Sequence, residues 1–382
     1  MWFRRGRDLQ ERVAASVVRS SAGVLVKVGT RQFSIASKEI ARGAEIADFA
    51  LYGLAAIGMS HGVEIDLDAP VTESALAQVN ELGEMWALWS TRLPRRIHPL
   101  RLHASEVVTS PCASGSGDGL LCMSGGVDST YAGITASTRL NLTAGMLIAG
   151  ADYPSEDDPR FLALRARVSR LSDRIGLELF TVTTDIQRLK IEYRMFHPLV
   201  LAMCLHFASD RFSRGAFASD FCGAQEFHVH PWGNNSLVAA KLGSERFPVF
   251  HVGADVRRTE KVRAIAQHEN GLIPHLSVCS ADISSSGNCG VCAKCVRTKL
   301  SLMSLGCDHS AGFADGASPL QLLDRVPIER STLKLLRTEV FLMELIGDLR
   351  DEAAREVVRR YLDRVRRSHR QRPAERRRLS FA

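Results

Sequence analysis

The sequence predicts an α/β fold: a parallel, twisted sheet with helices on both faces, preceded by a small α+β domain and followed by a helical extension. Three observations carry that expectation. From Leu120 onward, short apolar runs alternate with stretches of helical periodicity, as in repeated strand–helix–strand units. The first apolar run passes through a glycine turn, Ser124-Gly125-Gly126, straight into a helical pattern. Four cysteines, Cys279, Cys289, Cys292 and Cys295, gather where the alternation ends.

The division expected from these patterns is an N-terminal α+β domain over 1–110, a central domain over 119–310 that includes the cysteine loop 279–295, and a helical region with a basic tail over 311–382. In the first of these, Val24 to Ile35 reads as two short strands about the turn Gly29-Thr30-Arg31. Ile46, Phe49, Ala50, Leu54 and Ile57 recur at helical spacing. Val63, Ile65 and Leu67 alternate as a strand. Thr72 is placed to cap a helix whose apolar face is Leu76, Val79, Leu82, Trp86 and Trp89. Leu100 and Leu102 suggest a last strand. The segment from Pro111 to Gly119 reads as a linker. Its glycines precede the next strand instead of following it, so they do not make a dinucleotide fingerprint.

In the central part the expected strands are Leu120–Met123, Leu142–Ala149, Glu178–Val182, Gly215–Ser219 and Pro248–Val252. Helices are expected over Ser129–Thr138, Pro159–Ile175, His197–Ser209 and Thr259–His268. Beyond the cysteines, Val296, Leu300 and Met303 form a stripe ended by Gly306. The remainder is helical and amphipathic, packing on the central domain or forming an oligomer contact.

Hydrophobic residues make up 45% of the chain, an ordinary share for a globular protein. No apolar run reaches the roughly 18 residues of a membrane span. The basic residues near the start, Arg4, Arg5 and Arg7, are followed by Asp8 and Glu11 and by no signal-peptide core, so the expected location is cytoplasmic. The net charge of +7 belongs to the tail: from Arg355 onward eleven arginines face three acids. The run from Arg364 to Arg372 fits either a solvated, fraying helix end or a contact to nucleic-acid phosphates. Nine cysteines, an odd number, argue against a disulfide framework. Cys122 and Cys204 lie among apolar neighbours and read as core.

The chemistry concentrates in Leu120-Leu-Cys-Met-Ser124-Gly125-Gly126-Val127-Asp128-Ser129. A helix start offers unpaired amides and partial positive charge. The glycines let an anion approach the backbone, and Ser124 and Ser129 add hydroxyls. The Gly-Lys-Ser/Thr ending of a Walker loop is absent. This segment resembles the phosphate loop of the N-type PP-loop ATP pyrophosphatases, which include GMP, NAD and asparagine synthetases, tRNA thiolation enzymes and 7-cyano-7-deazaguanine synthases. The resemblance implies a Rossmann-like sheet of the adenine nucleotide alpha hydrolase kind, and ATP cleaved between its α and β phosphates. It implies that Ser124, Gly125, Gly126, Asp128 and Ser129 hold pyrophosphate and Mg²⁺, and that Ile148, Ala149 and Gly150 meet the adenine. Asp152-Tyr153 resembles the Asp-Tyr-Gly of the deazaguanine synthases, with Pro154 in place of the glycine, and makes Asp152 a substrate candidate.

Cys279, Cys289, Cys292 and Cys295 supply the four thiolates of a structural Zn²⁺ site, with iron–sulfur ligation as the competitor. The run Asn288-Cys-Gly-Val-Cys-Ala-Lys-Cys-Val-Arg297 resembles the zinc loop of the 7-cyano-7-deazaguanine synthases, its Arg falling two residues after the last Cys. The resemblance spans about Leu120 to Gly306 and leaves both ends of the chain outside it. Arg258 and Lys261, in a segment similar to the family's Thr-Lys-Ala-Glu, are candidates for charge on the ATP phosphates, or are solvated helix charges. His230, Trp232 and Asn234, in a loop-like stretch after the fourth strand, are candidates for substrate contact, with a His228/His230 metal pair as the alternative.

What the resemblance implies for function is an ATP-dependent ligase. A small-molecule carboxylate or amide is adenylated, then an amine or ammonia displaces AMP to give an amide or nitrile. The alternatives are a tRNA thiolation enzyme, for which Cys222 is the candidate catalytic cysteine, and a nucleotide-binding regulatory protein.

Overall fold

A computed structural model describes residues 11–40, 43–93, 96–109, 117–279, 287–328 and 331–370. The linker expected from Pro111 therefore lies largely outside the described residues, as does the end of the basic tail.

Among the described residues ten strands form one sheet. In chain order they are β1 (Arg12–Ser20), β2 (Gly23–Val28), β3 (Arg31–Ala36), β4 (Glu64–Thr72), β5 (Leu102–Val108), β6 (Gly119–Cys122), β7 (Leu142–Ala149), β8 (Glu178–Thr184), β9 (Arg214–Ala218) and β10 (Val249–Val252). Their order across the sheet is β10-β9-β6-β7-β8-β3-β2-β1-β4-β5. The five strands β6 to β10 are mutually parallel. β3 joins them by antiparallel pairing of Ile35 and Ala36 with Thr184 and Thr183 of β8. The pairs β3–β2 and β2–β1 are antiparallel, whereas β1–β4 and β4–β5 are parallel. The sheet is thus mostly parallel, and it runs unbroken from the N-terminal segment into the central one. β1 has no counterpart in the sequence reading, because its polar and apolar residues do not alternate strictly.

Helices α1 (Asp48–His61), α2 (Glu73–Trp89), α3 (Val127–Leu140), α4 (Pro159–Arg174), α5 (Tyr193–Phe207), α6 (Gly223–Val229), α7 (Ser236–Ala239) and α8 (Arg258–Ala266) flank it. The layering follows from strand alternation. Leu120, Cys122, Met146, Ile148, Phe180 and Val182 point to one face and pack with α1 and α5. Leu121, Met123, Leu147 and Ala149 point to the other and pack with α3, α4 and α8. Cys122 and Cys204 are buried in the first of these cores, as their neighbours implied. Thr72 caps α2 by accepting from the Ala75 amide, and Asp48 in turn accepts from Thr72.

The chain runs from β6 outward through β7 to β8, then crosses back to β9 on the other side of β6. In open parallel sheets that reversal leaves a crevice at the carboxyl ends of the strands.

The C-terminal part adds α9 (Ala293–Ser304), α10 (Pro319–Leu323), α11 (Thr332–Asp348) and α12 (Glu352–Arg370), with their own apolar core. α11 is clipped to the parallel part of the fold by Glu344, which accepts from the Thr259 amide of α8 and from Gln225 of α6. The basic run is not a fraying end as far as Arg370. Val365 is buried, Arg364 pairs with Asp324 and Arg366 with Glu339. No helix among the described residues is long and apolar enough to cross a membrane.

Candidate functional site

The turn after β6 is shaped by its two glycines in different ways. Gly125 has φ of +72°, which L side chains rarely adopt, and a Cβ there would stand 2.8 Å from Val168. Its carbonyl accepts from the Ser277 amide at 2.7 Å. Gly126 is the residue before α3 and has an extended conformation; a Cβ there would meet nothing closer than 3.5 Å. Ser124 and Ser129 hydroxyls lie 3.1 Å apart, bracing the turn. The amides of Val127, Asp128 and Ser129 open α3 and have no preceding turn of helix to bond.

This turn borders a cavity of roughly 600 Å³ at the crevice beside β6. Of the residues singled out by sequence, Ser124, Gly126, Asp128, Ser129, Ile148, Asp152, Trp232, Asn234 and Arg258 line it. Gly125 forms the back of the turn. Ala149 faces the opposite core, and Gly150 is tucked against the Thr184 carbonyl with φ of +91°. Lys261 lies beneath the cavity floor, 1% exposed, donating to the Ser219 carbonyl at 2.7 Å and to Asp128 at 3.3 Å. His230 turns away and packs its ring on Trp89 at 4.6 Å. His228 faces Glu339, so the two histidines do not converge on a metal. The stretch His228 to Asn235, expected to be a loop, begins inside α6 and ends at Asn235, whose side chain caps α7. Cys222 precedes α6 and does not line the cavity.

Asp128 is the anchor of the site. Its Oδ2 accepts from Arg258 at 2.6 Å and its Oδ1 from Lys261. Burial pushes the carboxyl pKa up, but Arg258, Lys261 and Arg297 push it further down, so it is held ionised below the usual carboxylate range. Asn234 donates to the Ala218 carbonyl and accepts from His251, and Trp232 donates from its ring nitrogen to Asp220 at 2.8 Å. Both are therefore fixed in place at the carboxyl end of β9.

Several lining residues were not singled out from sequence. Tyr193, Arg194 and His197 come from α5, Asp220 from the end of β9, Lys294 from α9, and Lys334, Arg337 and Phe341 from α11. Arg297, noted only for its position after the last cysteine, also reaches the cavity. The signal for the α11 residues was a basic pair, Lys334 and Arg337, on the same helical face as Phe341 (positions i, i+3 and i+7). Arg297 stacks over Phe341 at 3.9 Å and Arg337 over Trp232 at 4.1 Å. Burial first, then repulsion from Arg258 and Arg337, lowers the pKa of the Arg297 guanidinium. The cavity wall thus carries more positive charge than its own acids offset.

The four cysteine sulfurs lie within 4.8 Å of one another. Cys279–Cys292 and Cys289–Cys295 are each 3.9 Å apart. A tetrahedron with metal–sulfur bonds of about 2.3 Å has edges of about 3.8 Å, so this set can hold a metal ion such as zinc. Gly290 takes φ of +82° between the cysteines. Buried Asn288 ties the loop together: it accepts from the Val278 and Cys279 amides and donates to the Leu276 and Gly312 carbonyls. Ser277, Val278 and Cys279 also line the cavity, so the metal loop and the glycine turn share a wall.

No protein-family model, curated protein or solved structure matches this chain.

Proposed function

We propose that this chain is an ATP-dependent ligase of the PP-loop pyrophosphatase kind, adenylating a small-molecule acid and passing the acyl group to an amine or ammonia. The observation that carries the reading is the loop Ser124–Ser129 at the start of α3, open to a cationic cavity at the strand reversal beside β6. The outward-and-back strand order supports a Rossmann-like description of the central domain. The four sulfurs close on a single tetrahedral ion better than on an iron–sulfur cluster, whose own sulfides would hold them farther apart, which favours zinc.

In this reading the first-turn amides of α3 and the Ser124 and Ser129 hydroxyls take the β and γ phosphates. Arg258 lies on the same wall, aligned by Asp128. A substrate carboxylate oxygen bonds to the α-phosphorus while the bond to the bridging oxygen breaks, its electron pair leaving with pyrophosphate. The amine then attacks the acyl carbon, loses a proton, and AMP departs with the carbon–oxygen pair. Mg²⁺ carried by the nucleotide would spread the charge on pyrophosphate, and Asp128 keeps lone pairs beyond those used by Arg258 and Lys261 to receive it. Four thiolates leave a metal no open position, so its place is structural.

The test is acid-dependent exchange of labelled pyrophosphate into ATP, run with a panel of carboxylic acids and with nucleotide products resolved by chromatography. AMP and pyrophosphate are expected. ADP as the sole nucleotide product overturns the reading.

A further inference from the structure

The acceptor acid is unnamed by that reading, and a second cavity narrows its chemistry. A space of roughly 240 Å³ lies among the C-terminal helices. Its interior wall is apolar, formed by Val296, Leu300, Leu335, Leu342, Leu345 and Val365. It meets the larger cavity at a junction, because Lys294, Arg297, Lys334, Arg337 and Phe341 line both.

Arg297 and Arg337 set the chemistry of the junction. Neither guanidinium has a hydrogen-bond or ion-pair acceptor among the described residues, and the Nε of each is buried without a partner. Their planes are fixed by stacking on Phe341 and Trp232, so their donors lie along the free edges. Arg258 and Lys261, by contrast, are already paired with Asp128. Buried donors left unmade are costly, and a guanidinium edge matches a carboxylate.

We propose that this junction binds an amphipathic carboxylic acid, with its carboxylate on Arg297 and Arg337 and its apolar body in the helical cavity. The inference rests on the adenylation reading for the fate of the acid, and on the geometry alone for its binding. At ~30 Å³ for a group the size of water, the cavity takes about eight methylene-sized groups. An eight-carbon chain is therefore the natural probe.

The experiment is calorimetric titration of the full chain, without nucleotide, using octanoate, acetate and octanol, with ATP affinity measured separately. Octanoate should bind at least about tenfold more tightly than acetate or octanol, since only it fills both halves of the site. Arg337→Ala should weaken octanoate by about tenfold or more, and by clearly more than it weakens ATP. Leu342→Trp should shut out octanoate and leave acetate binding as it was. Should that variant melt early, the octanoate-to-acetate ratio in the unaltered chain still decides. Equal binding of octanoate and acetate, or binding of neither, overturns the proposal. So does an Arg337→Ala variant that loses ATP as strongly as octanoate, which would assign the arginines to the nucleotide. Octanoate binding without any ATP binding would sink the adenylation reading and leave the acid site standing.

Discussion

Asp128 and Arg258 meet at 2.6 Å across the gap between α3 and α8, and Asp128 also neutralises Lys261 underneath. One carboxylate therefore fixes two cations from another helix. Removing it strands a lysine that is 1% exposed. Asp128→Ala should cost about 3 kcal/mol in urea denaturation, in line with breaking a buried ion pair. Adding Lys261→Met should recover part of that loss. If the single variant is as stable as the parent, the pair does not hold the helices together.

The two loop glycines should separate folding from binding. Gly125→Ala puts a Cβ on a left-handed backbone and against Val168, so it should lower stability by about 1–3 kcal/mol. At Gly126 a Cβ meets nothing closer than 3.5 Å and the backbone is one that valine adopts, yet a valine side chain there would stand at the cavity wall. Gly126→Val should melt within a few degrees of the parent and lose ATP binding by equilibrium titration. Unchanged ATP affinity in Gly126→Val would remove the loop from the proposed site.

Much of this was legible in the sequence. Strand and helix periods located β6 to β10, with ends mostly within a residue or two, because these elements are buried on one face or both and their apolar patterns are strong. The glycine turn and the cysteine set were legible because each is local in sequence. The cationic wall was not. Arg258 alone was a candidate, through the resemblance; Arg297 and Arg337 join it from two other helices separated by long stretches of chain, and each looks like an ordinary helix charge. His230 misled for the opposite reason: it adjoins two cavity residues in sequence, but its neighbour in space is Trp89. Nor does any periodicity reveal that β3 pairs with β8, since that contact depends on sheet edges meeting.

His251 should make stability fall in mild acid. Its Nε2 bonds Asn234, its Nδ1 is buried without a partner, and burial pushes its pKa down to about 4, with Asp220 opposing and Lys261 adding to the shift. Between the ordinary value of 6.5 and about 4, the unfolded chain binds a proton that the folded chain refuses. Stability should therefore drop as pH falls through that window, by on the order of 3 kcal/mol when complete, and this contribution is flat above it. Half-buried His197 and buried His206 are shifted the same way and add to the slope. His251→Asn should flatten the fall in urea midpoints between pH 7 and 5; an identical slope would show that His251 is not responsible.

The metal loop should govern the glycine turn. Ser277 donates its amide to Gly125, and Val278 and Cys279 follow at once, held by Asn288. Metal-binding free energy at such a site is folding free energy. The purified chain should be colourless and carry about one zinc, read by elemental analysis. Cys292→Ser should lose the ion and lower the melting temperature. It should also weaken ATP binding by about tenfold or more, although Cys292 does not line the cavity, because the Ser277–Gly125 bond loses its support. Asn288→Ala gives an independent handle: it keeps all four sulfurs but removes the amide contacts, so zinc should stay near one per chain while ATP affinity falls. A zinc-free variant with unaltered ATP affinity would show that the two loops share a wall without sharing their energetics.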